Sequence, residues 1–258
     1  MSTAPNVWLD YDQAGLDRAY DQRAWCADAP AWLARYKAET KAARAALRSE
    51  VLSYGPHLLD LYRARAPRRG VHLHIHGGAW RAQSRDDAGF VAPALTAAGF
   101  DVAVPDFSHL PAKRLPEVVE ELRHCVALLS AQGPIHVSGH SSGAHLAAVL
   151  ATELPLASVT LVSGAYDLEP VLLSSRRDYV HLSTGEAEAL SPLRHAGRIA
   201  APVLLAWGDA ESPEFIRQGE AMAAAVNGRC FVLHGMHHFS APYALASGPL
   251  HDALIAQS

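Results

Sequence analysis

The sequence predicts an α/β fold with a mostly parallel central sheet flanked by helices. Three observations predict it. Short apolar runs alternate with helix-patterned segments along most of the chain, as expected for parallel strands joined by crossover helices. A Gly-x-Ser-x-Gly segment, Gly139–Gly143, stands between an apolar run and a small-residue helix. Glycine-bearing turns follow several of the apolar runs, Gly77-Gly78 and Gly208 among them.

The elements follow in order. Residues 12–50 are rich in Ala, Arg and Glu, and Trp32, Leu33, Tyr36, Ala43 and Leu47 form a helical stripe, so residues 1–50 are expected to be an N-terminal helical extension. His57–Tyr62 reads as a strand, Pro67–Gly70 as a turn, and Val71–His76 as a second strand, with the two expected to pair as a hairpin. Phe100–Val104 is a buried strand and Leu115–Leu129 an amphipathic helix. A strand at Pro134–Ser138 leads into the helix Ser142–Ala151, and further strands are expected at Ser158–Val162, Pro202–Trp207 and Cys230–Leu233. Residues 168–198 break the rhythm with Pro170, Ser174-Ser175 and Ser183-Thr184-Gly185. They read as a small cap-like insertion over the C-terminal edge of the sheet, where ligands bind in open α/β sheets. No repeat or linker divides the chain, so 1–258 is expected to be a single domain.

Composition narrows the function classes. The 258 residues are 50% hydrophobic and 19% charged, which suits a globular chain with a large core. Lys and Arg total 22 against 26 Asp and Glu, a net charge of −4, and there is no long basic run, so neither a nucleic acid nor an anionic membrane is an expected partner. No apolar run is long enough to span a bilayer, and the first ten residues carry no basic or apolar leader pattern. A cytoplasmic protein is expected. Cys26, Cys125 and Cys230 are isolated, which argues against a disulfide framework and suggests three buried small hydrophobes.

The chemistry resides in four segments. In Gly139-His140-Ser141-Ser142-Gly143 the flanking glycines let neighbouring backbone approach a nucleophile held on a tight strand-to-helix turn, the position expected of Ser141. His76-Gly77-Gly78-Ala79-Trp80 follows a strand, and the amides of Gly77, Gly78 and Ser142 are the candidate oxyanion donors. Asp209, Glu211 and Glu214 follow one strand and His237-His238 follow the last. Serine needs an imidazole base, and the imidazole needs a carboxylate to fix its tautomer. His238, which precedes Phe239, is favoured over His237 as that base. Spacing alone leaves Glu211 and Asp209 both open as the acid. The chain order Ser, acid, His is that of α/β hydrolases.

Other readings of these residues stand beside this one. His72, His74 and His76 share one face of a strand, which suits either metal ligation or structural roles, and structural roles are expected of His72 and His74. Trp80 is a candidate substrate-binding platform, or else core packing. No cofactor and no metal are expected.

With these residues in place, the sequence resembles the arylformamidase (kynurenine formamidase) branch of the α/β-hydrolase fold, near the hormone-sensitive-lipase-like esterases. Leu16–Arg23 (LDRAYDQR) is similar to that family's L-D-x-x-Y-N-x-R, and His76–Trp80 to its H-G-G-x-W. Gly139–Leu146 resembles its elbow; Ser163–Leu168 and Leu190–Leu193 resemble its S-G-x-Y-D-L and L-S-P segments. Ser212-Pro213-Glu214-Phe215 with Arg217-Gln218 matches the run that follows the family's triad acid. The resemblance therefore implies Glu211 as acid and His238 as base. It implies a cofactor-independent serine hydrolase acting on a small aromatic substrate, an N-formyl arylamine such as N-formylkynurenine. A carboxylesterase for small acyl esters and a non-catalytic binding protein on the same fold are the alternatives. The chain departs from the pattern in Asp21 for Asn, in Glu211 where the animal and yeast enzymes usually carry Asp, and in Pro105–Pro111, a segment expected near the pocket. A homodimer is compatible with the sequence.

Overall fold

In a computed structural model, residues 5–65 and 67–258 are described. Helices α1 (Gln13–Tyr20) and α2 (Ala29–Ala46) precede an antiparallel pair, β1 (Ser49–Tyr54) and β2 (His57–Tyr62). Then come β3 (Gly70–Ile75), α3 (Ala92–Ala97), β4 (Phe100–Pro105), α4 (Leu115–Ser130), β5 (Ile135–His140), α5 (Ser142–Ala151) and β6 (Ser158–Val162). Short helices α6 (Glu169–Leu173) and α7 (Thr184–Ala189) lead to β7 (Val203–Gly208), α8 (Pro213–Val226), β8 (Arg229–Leu233) and α9 (Pro249–Ala256).

The eight strands form one sheet in the order β1-β2-β4-β3-β5-β6-β7-β8. Only β1–β2 and β2–β4 are antiparallel; every pairing from β4–β3 to β7–β8 is parallel. This is the α/β-hydrolase architecture expected from the sequence. Alternation along the strands feeds two apolar layers: in β4, Ala103 faces α4 and α5 while Val102 and Val104 face α2, α3 and α9. The stripe on α2 packs as its spacing predicts, with Tyr36 and Ala43 buried. Among the described residues, no helix is long and apolar enough to cross a membrane.

Two expectations are corrected. The 57–62 strand does not pair with the 71–76 strand, because β4 lies between them. Strand β3 is buried along its whole length and takes a parallel neighbour on each side, whereas the hairpin partner of β2 is β1, joined to it through Gly55 at φ +54°. Strand β1 went unread because it is a mostly exposed edge with no apolar alternation, and it begins within the last two residues assigned to the helical extension. Cys26 and Cys125 are buried, but Cys230 is exposed on the edge strand β8.

Candidate active site

Four connections at the C-terminal ends of β3, β5, β7 and β8 converge on one side chain, Ser141. It sits between β5 and α5 at φ +55°, ψ −122°, a conformation L-residues avoid, and its N–H donates to the Val162 carbonyl at 2.9 Å. Both glycines of the motif are sterically required. A Cβ on Gly139 would come within 2.2 Å of the Gly143 carbonyl oxygen, and one on Gly143 within 2.1 Å of the Ile75 carbonyl oxygen. The motif therefore reports the packing of α5 onto β3 as much as the turn itself.

Ser141 Oγ lies 2.9 Å from His238 Nε2, and His238 Nδ1 lies 2.7 Å from Glu211 Oε2. All three are buried. The second Glu211 oxygen accepts from the Gly208 amide at 2.7 Å and from Ser163 Oγ at 2.5 Å, so the carboxylate is held at both ends. Asp209 turns to the surface, where it meets His234 Nδ1 at 3.0 Å and the Gly235 amide at 2.8 Å, contacts that hold its carboxyl below the usual range. His237 is committed elsewhere. Its Nδ1 accepts from the amides of Phe239 and Ser240 at 3.2 and 3.3 Å, which places the proton on Nε2, 3.5 Å from Cys26 Sγ. Geometry thus puts His238 and Glu211, not His237 and Asp209, in line with Ser141.

The glycine-rich loop after β3 folds against the serine. A Cβ on Gly77 would lie 3.2 Å from Ser141 Cβ and 3.1 Å from the His140 carbonyl oxygen. Gly78, at φ +103°, borders the same cavity as Ser141 and has no room for a side chain beside the Ala82 carbonyl. The Ser142 amide is in the first turn of α5, where no intrahelical acceptor exists. The loop is anchored from behind: Arg85 bonds Asp60 on β2 at 2.5 Å and Asp106 at 2.9 Å, and Arg44 of α2 reaches the other oxygen of Asp60.

Histidines pack beneath the site. His140 Nε2 donates to the backbone carbonyl of His238 at 2.8 Å, and burial together with the neighbouring His238 holds its pKa well below the ordinary histidine value, so it is a neutral donor that props His238 from behind. The motif alone assigns His140 no role; its contact with His238 reveals one. His72 and His74 share the hydroxyl of Ser138, at 2.7 and 2.9 Å, as buried core residues. His76 does not join them; it stacks on Phe107 with centroids 4.2 Å apart and bonds the Gly77 carbonyl.

Trp80 is the clear correction. It is 0% exposed and does not line the cavity. Left-handed backbone at Ala79 and Trp80 turns the indole inward, where Nε1 donates to His145 Nδ1 at 3.3 Å and His145 in turn bonds the Leu190 carbonyl. Residues 105–111 also stay behind the cavity wall. Phe107 supports His76, and the Leu110 amide donates to the Trp80 carbonyl.

The cavity over Ser141 holds about 550 Å³. Its walls come from segments the sequence placed apart: Tyr20–Arg23 after α1, Arg81 and Gln83 of the glycine loop, Arg176 and Tyr179 of the 168–198 insertion, and Phe239 beside the base. The motif segments meet in space around Glu211. Gln218 Oε1 accepts from the amides of Tyr166 and Asp167, and Gln218 Nε2 donates to the Tyr20 hydroxyl. Ser212 caps α8, while Glu214 pairs with Arg217 at 2.7 Å. The S-P-E-F-x-R-Q run thus ties the N-terminal segment and the Ser163–Leu168 loop to the acid.

Comparison with known proteins agrees with this fold. A profile of the BD-FAE family matches residues 59–160. Kynurenine formamidase of Danio rerio is 30% identical over 181 residues, 63% of this chain and 62% of that protein; its Salmo salar counterpart is 30% identical over 165 residues, 57% and 56%. The matches thus span about three fifths of those relatives' length. A solved structure from Silicibacter sp. TM1040, named as a candidate thioesterase, superposes with a TM-score of 0.88 at 28% identity, covering 93% of this chain and 98% of its own. An esterase/lipase from an uncultured bacterium shares the fold alone, with a TM-score of 0.68 at 17% identity over 86% and 87% of the two chains. Sheet order, strand-to-helix elbow and the solved structures together show the α/β-hydrolase fold, and over about three fifths of its length the chain is similar to kynurenine formamidases.

Proposed function

We propose that this protein is a cofactor-independent serine hydrolase that cleaves an N-formyl arylamine, N-formylkynurenine being the first candidate, to formate and the free aniline. The observation that carries the reading is the buried line from Ser141 Oγ through His238 to Glu211 at 2.9 and 2.7 Å. In the proposed reaction His238 Nε2 takes the Ser141 proton as Oγ attacks the formyl carbon, and Glu211 holds the tautomer and stabilises the imidazolium. The amides of Gly77, Gly78 and Ser142 receive the oxyanion, each worth about 3 kcal/mol when well placed. His238 then protonates the departing nitrogen, and a water, deprotonated by the same histidine, hydrolyses the formyl-enzyme. A formyl group needs almost no acyl pocket. The cavity of about 550 Å³ is then left to the leaving group, with Tyr20, Tyr179 and Phe239 as aromatic walls.

A second reading, hydrolysis of small acyl esters or thioesters, is supported by the high overall similarity to the candidate thioesterase. The two separate on kcat/KM for N-formylkynurenine against p-nitrophenyl acetate, measured on the wild type and on Ser141→Ala. A formamide preference of about a hundredfold, lost in the variant, corresponds to about 2.7 kcal/mol of transition-state discrimination and supports the formamidase reading. Ester turnover without formamide turnover discards it. Failure of a fluorophosphonate to label Ser141 would point instead to a non-catalytic protein.

A further inference from the structure

We propose that Arg176 recognises an anionic group, a carboxylate or phosphate, carried on the leaving-group side of the substrate. The proposal deepens the hydrolase reading above and rests on it. Arg176 is only 8% exposed, yet among the described residues no carboxylate lies within 4.0 Å of its guanidinium. Glu214, which packs beneath the neighbouring Tyr20, is occupied by Arg217, Gln218 and the Tyr20 hydroxyl. Among the described residues, the single hydrogen bond from the Arg176 side chain is Nη2 to the Tyr20 carbonyl at 2.7 Å. Otherwise its guanidinium carbon lies 5.2 Å from the Tyr20 ring and 5.8 Å from the rings of Trp80 and Phe215.

A buried cation without a counter-ion is expensive, and aromatic faces offset only part of the desolvation. The guanidinium fork carries five N–H donors, and most are unused here. None of its nitrogens is sealed off without a partner, and the residue borders the cavity that holds Ser141, so the remaining donors open onto the substrate's space. Arg81 adds to the positive field. It borders the same cavity, its guanidinium carbon is 4.2 Å from the Tyr179 ring, and it too lacks a carboxylate partner among the described residues. An anion entering this cavity would complete the charge balance that the fold leaves open.

The experiment compares matched substrates that differ only in a leaving-group carboxylate: the formamidobenzoate isomers against formanilide, and the acetoxybenzoate isomers against phenyl acetate. On the wild type the preferred anionic isomer is expected to be turned over with kcat/KM about tenfold above its uncharged partner, the size of one charge-assisted hydrogen-bond pair. Arg176→Gln removes that preference through KM, so that charged and uncharged partners are turned over alike, and Arg176→Lys restores part of it. Equal losses on charged and uncharged substrates, or no loss, would overturn the proposal in favour of a structural arginine. A measurement that needs no variant is inhibition of p-nitrophenyl acetate turnover by benzoate against benzamide. Benzoate binding about tenfold tighter is expected, and equal inhibition overturns the assignment. Arg176-dependent preference among the esters, with no formamide turnover, keeps the anion site and discards the formamidase reading. Arg176-dependent turnover of acetyl-CoA with no carboxylate preference identifies the anion as phosphate.

Discussion

Ser163 Oγ lies 2.5 Å from Oε1 of Glu211, on the side of the carboxylate away from His238. The hydroxyl therefore sets the direction in which Glu211 presents its other oxygen. Ser163 itself holds a left-handed backbone, φ +55°, at the end of β6, a strained turn that serves this contact. Ser163→Ala is expected to keep the turn and lower kcat about tenfold with little change in KM, since a hydrogen bond to a charged group is worth about 1.5–3 kcal/mol. Steady-state kinetics on p-nitrophenyl acetate checks it, and an unchanged kcat refutes it.

The two acids after β7 separate more sharply. Glu211→Ala should reduce kcat about 10⁴-fold, as loss of the orienting carboxylate does in serine hydrolases, whereas Asp209→Ala should stay within about threefold because its partners are exposed. Ser141→Ala and His238→Ala should each abolish turnover with far-UV dichroism unchanged. A larger loss in Asp209→Ala than in Glu211→Ala would reverse the assignment.

Packing of the elbow gives a stability prediction. Gly143→Ala drives a methyl group into the carbonyls of Ile75 and His76, at 2.1 and 2.4 Å, and should cost about 3 kcal/mol or more. Gly185→Ala, in α7 with nothing within 4 Å, should instead stabilise by about 0.5–1 kcal/mol. Urea unfolding followed by dichroism compares the two midpoints.

The buried histidines predict acid sensitivity. Burial pushes His74 down to about 3 and His76 and His145 down to about 4, from an ordinary value of 6.5. Because the unfolded chain binds protons that the folded chain excludes, stability is full above pH 6.5 and falls as the pH drops towards 4. Each histidine removes about 1.4 kcal/mol per pH unit in that window, so one unit below 6.5 the three remove about 4 kcal/mol together. The melting temperature should drop by roughly 10 °C between pH 7.5 and 5.5. A flat profile would mean that these rings are hydrated.

Asp60 joins the N-terminal extension to the glycine-rich loop after β3 through Arg44 and Arg85. Asp60→Asn leaves Arg44 with Asp86 and Arg85 with Asp106 as their remaining carboxylates, and should destabilise by about 2 kcal/mol through the charge-assisted hydrogen bonds it weakens. It should also raise KM or lower kcat, because Arg85 anchors the loop that carries Gly77 and Gly78. Wild-type kinetics in a folded variant would show that the loop holds its shape without this anchor.

Seven of the eight strands were legible from local pattern, because β2 to β8 each carry short apolar runs bounded by Gly, Pro or polar turns. The eighth, β1, is a mostly exposed edge whose Val51, Leu52 and Tyr54 do not alternate with polar residues in a strand period, and its pairing with β2 is visible only in the register Ser49–Tyr62 to Tyr54–His57. The site divides in the same way. Ser141, Gly77 and Gly78 announce themselves because steric demands on backbone leave a glycine signature within a few residues. Trp80 misled because an aromatic beside such a loop can face either way, and two left-handed residues turned it inward.

By itself the sequence determined the α/β class, the strand-to-helix turn that carries Ser141 and the chain order of Ser141, Glu211 and His238, all of which are written in local spacing. Tertiary structure decided which of two acids and two histidines meet Ser141, since Asp209 and Glu211 are two residues apart yet point to solvent and to His238 respectively. It also decided what walls the cavity. Tyr20 and Arg176 are 156 residues apart in the chain, and only the docking of α1 against the 168–198 insertion brings a buried guanidinium onto the Tyr20 carbonyl and to the edge of the cavity over Ser141. Local backbone geometry leaves a mark on the residues that produce it, whereas a contact across the fold leaves none in either segment alone.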